Sequence, residues 1–278
     1  MADEMKTARD GIALVGEILK AAGDNPQVKE AGANLGQTAL TLTKTINNVL
    51  LPLAMVNFAF DKARTYFNTK FESDLSAKMA TIPAECIAEP KASIAGPVIQ
   101  SLAFSHEEPN LKDMYLNLLA TAMDSRGASD AHPAFVEIIK QLNSEEAHLL
   151  TFVLRLDNMP IAQIKKVKAD LPGWRLLQTH VLNLIDTSSQ LPIENPRQTA
   201  MVDNWIRLGV VRVGYTEWLT AERAYDWVEE RPEYHRIKQQ YEGESDVKIT
   251  FEKGILSRTD FGEKFALATR LLDIVPKS

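Results

Sequence analysis

Val247-Lys248-Ile249-Thr250-Phe251 and Ile255-Leu256-Ser257 flank Glu252-Lys253-Gly254, and the fold class turns on what that stretch becomes. Two β-rich runs around a short segment holding a glycine read as a β-hairpin with Gly254 in its turn. Downstream, Thr259 caps a last helix carrying Phe261, Phe265 and Leu272. Upstream lie a charged helical insertion, Thr220 to Tyr241, and a strand, Val210-Val211-Arg212-Val213. That strand follows Gly209, which ends a helix opened by Asn195-Pro196 and running to Leu208. Earlier still, Ser144 with Glu145 and Glu146 marks a helix start, a cap followed by first-turn acids that favour the helix dipole. Helices, a strand and a hairpin in this order match a winged helix-turn-helix. Residues 143–278 are therefore expected to form a winged-helix-like module, with a helical insertion around 216–241.

Residues 1–142 read as a helical region, so the expected class is mainly α with one small β-hairpin. Ile12, Val15 and Leu19 share one helix face, and Gly23-Asp24-Asn25-Pro26 stops that helix. A long helical stretch runs from Ala33 to Met79 and is divided at Pro52, whose ring clashes with the preceding turn. Its second half sets Phe60, Phe67, Phe71 and Leu75 on one face. A proline-punctuated link, Ile82 to Pro90, precedes helices over Ala92–Ser105, Asn110–Asp124 and Ala134–Leu142. In the second of these, Leu111, Met114, Tyr115, Leu118 and Ala122 keep a 3.6-residue period.

The chain's 278 residues suffice for one large domain or two smaller ones, and 45% hydrophobic with 24% charged content is ordinary for a globular protein. A net charge of -6 argues against general affinity for phosphates or anionic lipids. Cys86 is the single cysteine and has no disulfide partner in the chain, which fits a reducing cytoplasm. Met1-Ala2-Asp3-Glu4 lacks the basic-then-apolar order of a signal peptide. Thr45 to Phe60 carries no charge, yet it is short of the about 20 residues of a spanning helix and contains Asn47, Asn48 and Asn57. Val49, Leu50, Leu53 and Val56 are expected in a buried helical core.

No catalytic, cofactor-binding or metal-binding residue is assigned. Gly32-Ala33-Asn34-Leu35-Gly36-Gln37-Thr38 has short glycine spacing and Gln37 where a phosphate loop needs Lys. Glu145-x-x-His148 has the spacing of one half of a di-iron site, but no second copy occurs. His106 and His132 belong to no Cys/His cluster, and His132 before Pro133 suits a helix start. Cys86 resembles a small buried hydrophobe. As a DNA-binding wing, the hairpin interleaves Lys248, Lys253, Arg258 and Lys264 with Asp246, Glu252, Asp260 and Glu263, too neutral a balance for a phosphate backbone. Trp218, Tyr225, Trp227, Tyr234 and Tyr241 in or near the insertion are either a contact face or the module's own core.

Several phrases resemble the abortive-infection alpha family of bacteria and phages: Ile82-Pro83-x-Glu85 with Glu89-Pro90-Lys91, the run Leu111 to Ala120, and His132-Pro133-Ala134-Phe135 through Leu142. Leu208-Gly209-Val210-Val211 and Leu256 to Gly262 are similar to it too, so the resemblance covers roughly residues 40 to 270. It implies defence against bacteriophage, with the infected cell ceasing growth before phage release, and it implies no catalytic residue. The expectation is a cytoplasmic, non-enzymatic protein without cofactor, working by contact with a phage or host protein or by self-association. Two alternatives stand beside it: a membrane-perturbing effector using segment 45–60, and a DNA-binding regulator.

Overall fold

The computed structural model describes residues 36–48 and 57–272, Leu171 and Thr187 excepted. Pro52 and the apolar Val49, Leu50, Leu53 and Val56 lie outside the described residues, as does the side chain of Phe60. Helices are α1 (36–48), α2 (Asn57–Thr69), α3 (Phe71–Met79), α4 (Ala92–Ser105), α5 (Pro109–Ala122), α6 (Pro133–Lys140) and α7 (Ser144–Leu154). Strands β1 (Asn158–Lys168) and β2 (Trp174–Val181) follow, then α8 (Gln198–Arg207), β3 (Val211–Gly214), α9 (Pro232–Gln240), β4 (Val247–Arg258) and α10 (Asp260–Ala268). The chain divides into two compact units, one ending at Leu149 and resuming at Lys264, the other Leu150–Glu263.

The described part of the first unit is helical, and α4, α5 and α6 fall close to their expected spans, while the helix expected around Ile12, Val15 and Leu19 and the residues Gly32 to Leu35 lie outside the described residues. α5 is buried nearly all round, through Leu111, Met114, Tyr115, Leu116, Leu118 and Leu119, as the central helix of a bundle must be. Each such side chain contributes about 1.5–3 kcal/mol on leaving water. The proline link lies against the end of this helix, with Ile87 bridged to Asp124 and the Ala88 N–H donating to the Met123 carbonyl at 2.8 Å. α6 buries Phe135, Val136, Ile138 and Ile139, and Phe135 meets Phe265 edge to face at 5.6 Å. Asn143, not Ser144, caps α7: its Oδ1 accepts from the Glu146 N–H while Glu146 Oε2 accepts from the Asn143 N–H, both at 2.9 Å.

The second unit overturns the expected fold class. Half of the chain is helical, but 17% is strand, arranged as a four-stranded antiparallel sheet in the order β2-β1-β4-β3. The winged-helix-like module and its wing hairpin are not formed. Val247 to Arg258 is one continuous strand, paired with β1 from Lys168↔Val247 to Asn158↔Ser257. Gly254 sits inside the strand, opposite Ile161, and its lack of a Cβ serves close approach instead of a turn. A Cβ there would lie 2.5 Å from Tyr215 Cδ1 and 2.7 Å from the Gly214 carbonyl oxygen. One face of the sheet is covered by a short 3-10 turn (Asp226–Val228) and α9, which bury Tyr225, Val228, Tyr234 and Ile237 against Ala162, Ile164 and Val181.

Candidate functional site

β2 is irregular, and the irregularity builds the site. Its register against β1 shifts twice, between Ala162 and Ile164 and between Ile164 and Lys165. Bulges of this kind re-aim side chains. His180, in the upper bulge, has φ +56°, a left-handed backbone that is uncommon outside glycine. α8 holds it there: Gln198 Nε2 donates to the His180 carbonyl at 2.5 Å, and Thr199 Oγ1 to the Thr179 carbonyl at 3.0 Å.

The turned imidazole joins three elements. Nε2 lies 3.2 Å from Asp203 Oδ1 on α8, and Nδ1 lies 3.0 Å from the hydroxyl of Tyr215, just beyond β3. The Tyr215 oxygen also accepts the His180 backbone N–H at 3.1 Å, and the two rings stack at 6.1 Å. With Nε2–H donated to the carboxylate, Nδ1 accepts the phenol proton, and every group has a partner. Burial lowers the proton affinity of His180, partly opposed by the Asp203 carboxylate. Desolvation is the main cause that pushes the Tyr215 pKa up to about 12, so the phenol stays protonated near neutral pH. Its oxygen is committed to two His180 groups, so the chain of bonds locks the turned backbone of β2 to α8 and to the residue after β3.

Beyond that lock, residues 184–186 and 188–193 pair as a small hairpin. Asp186 N–H donates to the Leu191 carbonyl, Ile193 N–H to the Leu184 carbonyl, and Ile185 bridges Pro192. Asp186 organises the bend by accepting from the N–H groups of Ser188 and Ser189 and from both hydroxyls, which hold its pKa down at about 2. Arg231 clamps the hairpin's base. Its guanidinium is fully buried, pairs with buried Glu233 at 2.9 Å, and donates to the carbonyls of Leu184 and Ile193, each at 2.5 Å. The hairpin displays apolar side chains to solvent: Leu191 is 63% exposed, Ile193 44% and Ile185 43%. Arg231 thus ties the base of the segment down while its aliphatic side chains stay in solvent.

The histidines singled out in the sequence lie elsewhere. His132 caps α6, its Nδ1 accepting from the Ala134 N–H at 3.1 Å, and His106 stacks on Tyr66 at 4.8 Å. Among the described residues no group of three or more His, Cys, Asp or Glu is set to hold a metal, and Glu145-x-x-His148 gains no further ligand. Cys86 is half-buried, and Gly36, Gln37 and Thr38 are helical. Of the five aromatics of the insertion, Tyr225 and Tyr234 belong to the sheet's core and Trp227 and Tyr241 pack on it, which leaves Trp218 exposed.

A family model described as abortive infection alpha matches residues 63–269. This chain belongs to the abortive infection alpha family. Neither a curated protein nor a solved structure matches it. The match takes in α3 to α7, the bulged strand and the hairpin, and the phrases that carry the resemblance are packing devices. In this abortive infection alpha chain, Leu208-Gly209-Val210-Val211 and Leu256 to Gly262 form a single joint: Thr259 Oγ1 donates to the Gly209 carbonyl at 2.6 Å and accepts from the Gly262 N–H at 2.9 Å. Gly209 has φ +74°, and a Cβ on Gly262 would lie 2.0 Å from the Val210 carbonyl oxygen.

Proposed function

We propose that this abortive infection alpha protein defends the bacterial cell against phage through contact with a phage or host protein in the cytoplasm, without catalysis of its own and without a cofactor. The family match supports the defence role. The observation that carries the contact is the clamped hairpin, with Leu191, Ile193 and Ile185 held out from the surface by Arg231. The lone Cys86 accords with a reducing compartment. Among the described residues no helix is long and apolar enough to cross a membrane.

The test is phage plaquing on cells that express the protein. Wild type lowers plaquing. Leu191→Asp with Ile193→Asp, which alters exposed side chains and shifts stability by no more than about 1 kcal/mol in total, returns plaquing to the level of cells lacking the protein. Tyr215→Phe keeps the ring and removes the phenol oxygen, and it preserves protection. Full protection by the hairpin variant would defeat the contact reading. Protection lost in Tyr215→Phe at an unchanged melting temperature would defeat the non-catalytic one.

A further inference from the structure

The sheet has two open edges, and only one of them is blunted. On β2 the two register shifts bend the strand away from a regular ladder. β4 differs. β3 covers only Ile255 to Arg258, so from Val247 to Gly254 the outer side of β4 has no strand beside it. Over those residues its pairing with β1 is regular, with no bulge and no proline. Two carbonyls of the stretch, Gly254 and Ile249, accept from the hydroxyls of Tyr225 at 2.8 Å and Tyr234 at 3.3 Å. An edge without bulges is a template for another strand, because the outward N–H and C=O groups that these hydroxyls leave unbonded ask for a ladder.

We propose that β4 pairs with β4 of a second copy of this chain, antiparallel about a two-fold axis at Thr250, joining two sheets into one. The sequence selects both the occupant and the register. With Thr250 opposite Thr250, Lys248 stands opposite Glu252 and Ile249 opposite Phe251, each twice across the axis. Lys248 is exposed and has no ion-pair partner among the described residues. Glu252 holds Lys165 at 3.6 Å and accepts from Gln163 at 2.6 Å, and with its side chain 31% exposed it takes Lys248 of the second copy as a further cation. Ile249 and Phe251 are only partly buried against the core of their own sheet. Moving the axis one residue earlier sets Glu252 against Asp246, and one residue later sets Lys253 against Ile249. Opposite charges and apolar pairs directly across a ladder stabilise it, and like charges weaken it. The interface is isologous and closes after two copies. It uses a different strand from the hairpin contact and stands whether or not that contact is made.

Sedimentation of the full chain, with disulfide trapping in a Cys86→Ser background, tests the pairing. Wild type sediments as a dimer at micromolar concentration, and Lys248→Glu raises the dissociation constant about tenfold or more. Thr250→Cys links to its own counterpart on mild oxidation, since directly opposed Cβ atoms lie about 4.5–5.5 Å apart. Lys248→Cys, which faces Glu252 instead, links far less. A monomer at about 100 μM, a dimer indifferent to Lys248→Glu, or equal trapping at positions 248 and 250 would each overturn the proposal.

Discussion

Arg231 and Glu233 have no solvent access and fork onto each other while Arg231 also holds two hairpin carbonyls. Breaking a buried pair from one side strands the other charge, so Arg231→Ala is expected to lower unfolding free energy by about 3–5 kcal/mol. It should also speed amide exchange at Ile193, whose carbonyl loses its donor. An unchanged denaturant midpoint would show the pair to be dispensable. His180 makes a second prediction at this scale. Its folded proton affinity is depressed by burial below the ordinary histidine value of about 6.5, so the unfolded chain binds the proton more readily in that range. The stability it confers is complete above that ordinary value and is lost as pH falls below it. His180→Gln does not titrate there. The melting-temperature gap between wild type and variant should therefore narrow from about pH 7.5 to about pH 5.5. A gap that stays constant would remove His180 as the titrating group.

Among the elements, two glycines mark where backbones approach most closely. On Gly262 a Cβ would meet backbone, Val210 O at 2.0 Å and Val210 C at 2.8 Å, and backbone cannot rotate aside. Gly262→Ala should cost at least the about 1–3 kcal/mol of an overpacked core, and Gly254→Ala somewhat less because its nearest neighbour is the Tyr215 ring. Gly243→Ala, with nothing within 4 Å, is the matched control and should melt within error of wild type. Gly254 is also where the sequence misleads, since a glycine in a β-rich run signals a turn as readily as a close approach. The helices were legible because each carries its own signal. α4 has its expected bounds and α5 and α6 come within two residues of theirs, from apolar period and proline position alone. β1 carries no such signal, because Lys165, Lys166 and Lys168 put charge on both faces. Their carboxylate partners, Glu252, Glu244 and Asp246, stand far along the chain. β2 loses its period of two at the bulges. His180, Asp203 and Tyr215 are joined only by that bulge, which no local residue pattern announces. The hairpin left one trace, the Asp186-Thr187-Ser188-Ser189 turn between Ile185 and Leu191.

For the whole molecule, charge decides what the sheet can bind. The described sheet carries a basic run on β1, and each of its lysines is already matched. Lys165 pairs with Glu252 at 3.6 Å, Lys166 with Glu244 at 3.0 Å and Lys168 with Asp246 at 3.3 Å. Lys165 and Lys166 also stand over the rings of Trp174 and Tyr241, at 5.0 and 4.1 Å. A phosphate backbone would have to displace these carboxylates, and the counterions released would be few. From Asn195 to Ser278 there are 13 Lys and Arg against 14 Asp and Glu, within a chain of net charge -6. The full-length protein is therefore expected not to shift duplex DNA at physiological salt. Any retention at low salt should vanish with a shallow slope, since a slope reports the phosphates neutralised. Replacing Glu244 and Asp246 with Gln and Asn should free Lys166 and Lys168 and steepen that slope. Sub-micromolar, sequence-selective binding by the wild type would show that the matched lysines do not govern the surface, and a regulator's role would then replace the contact reading.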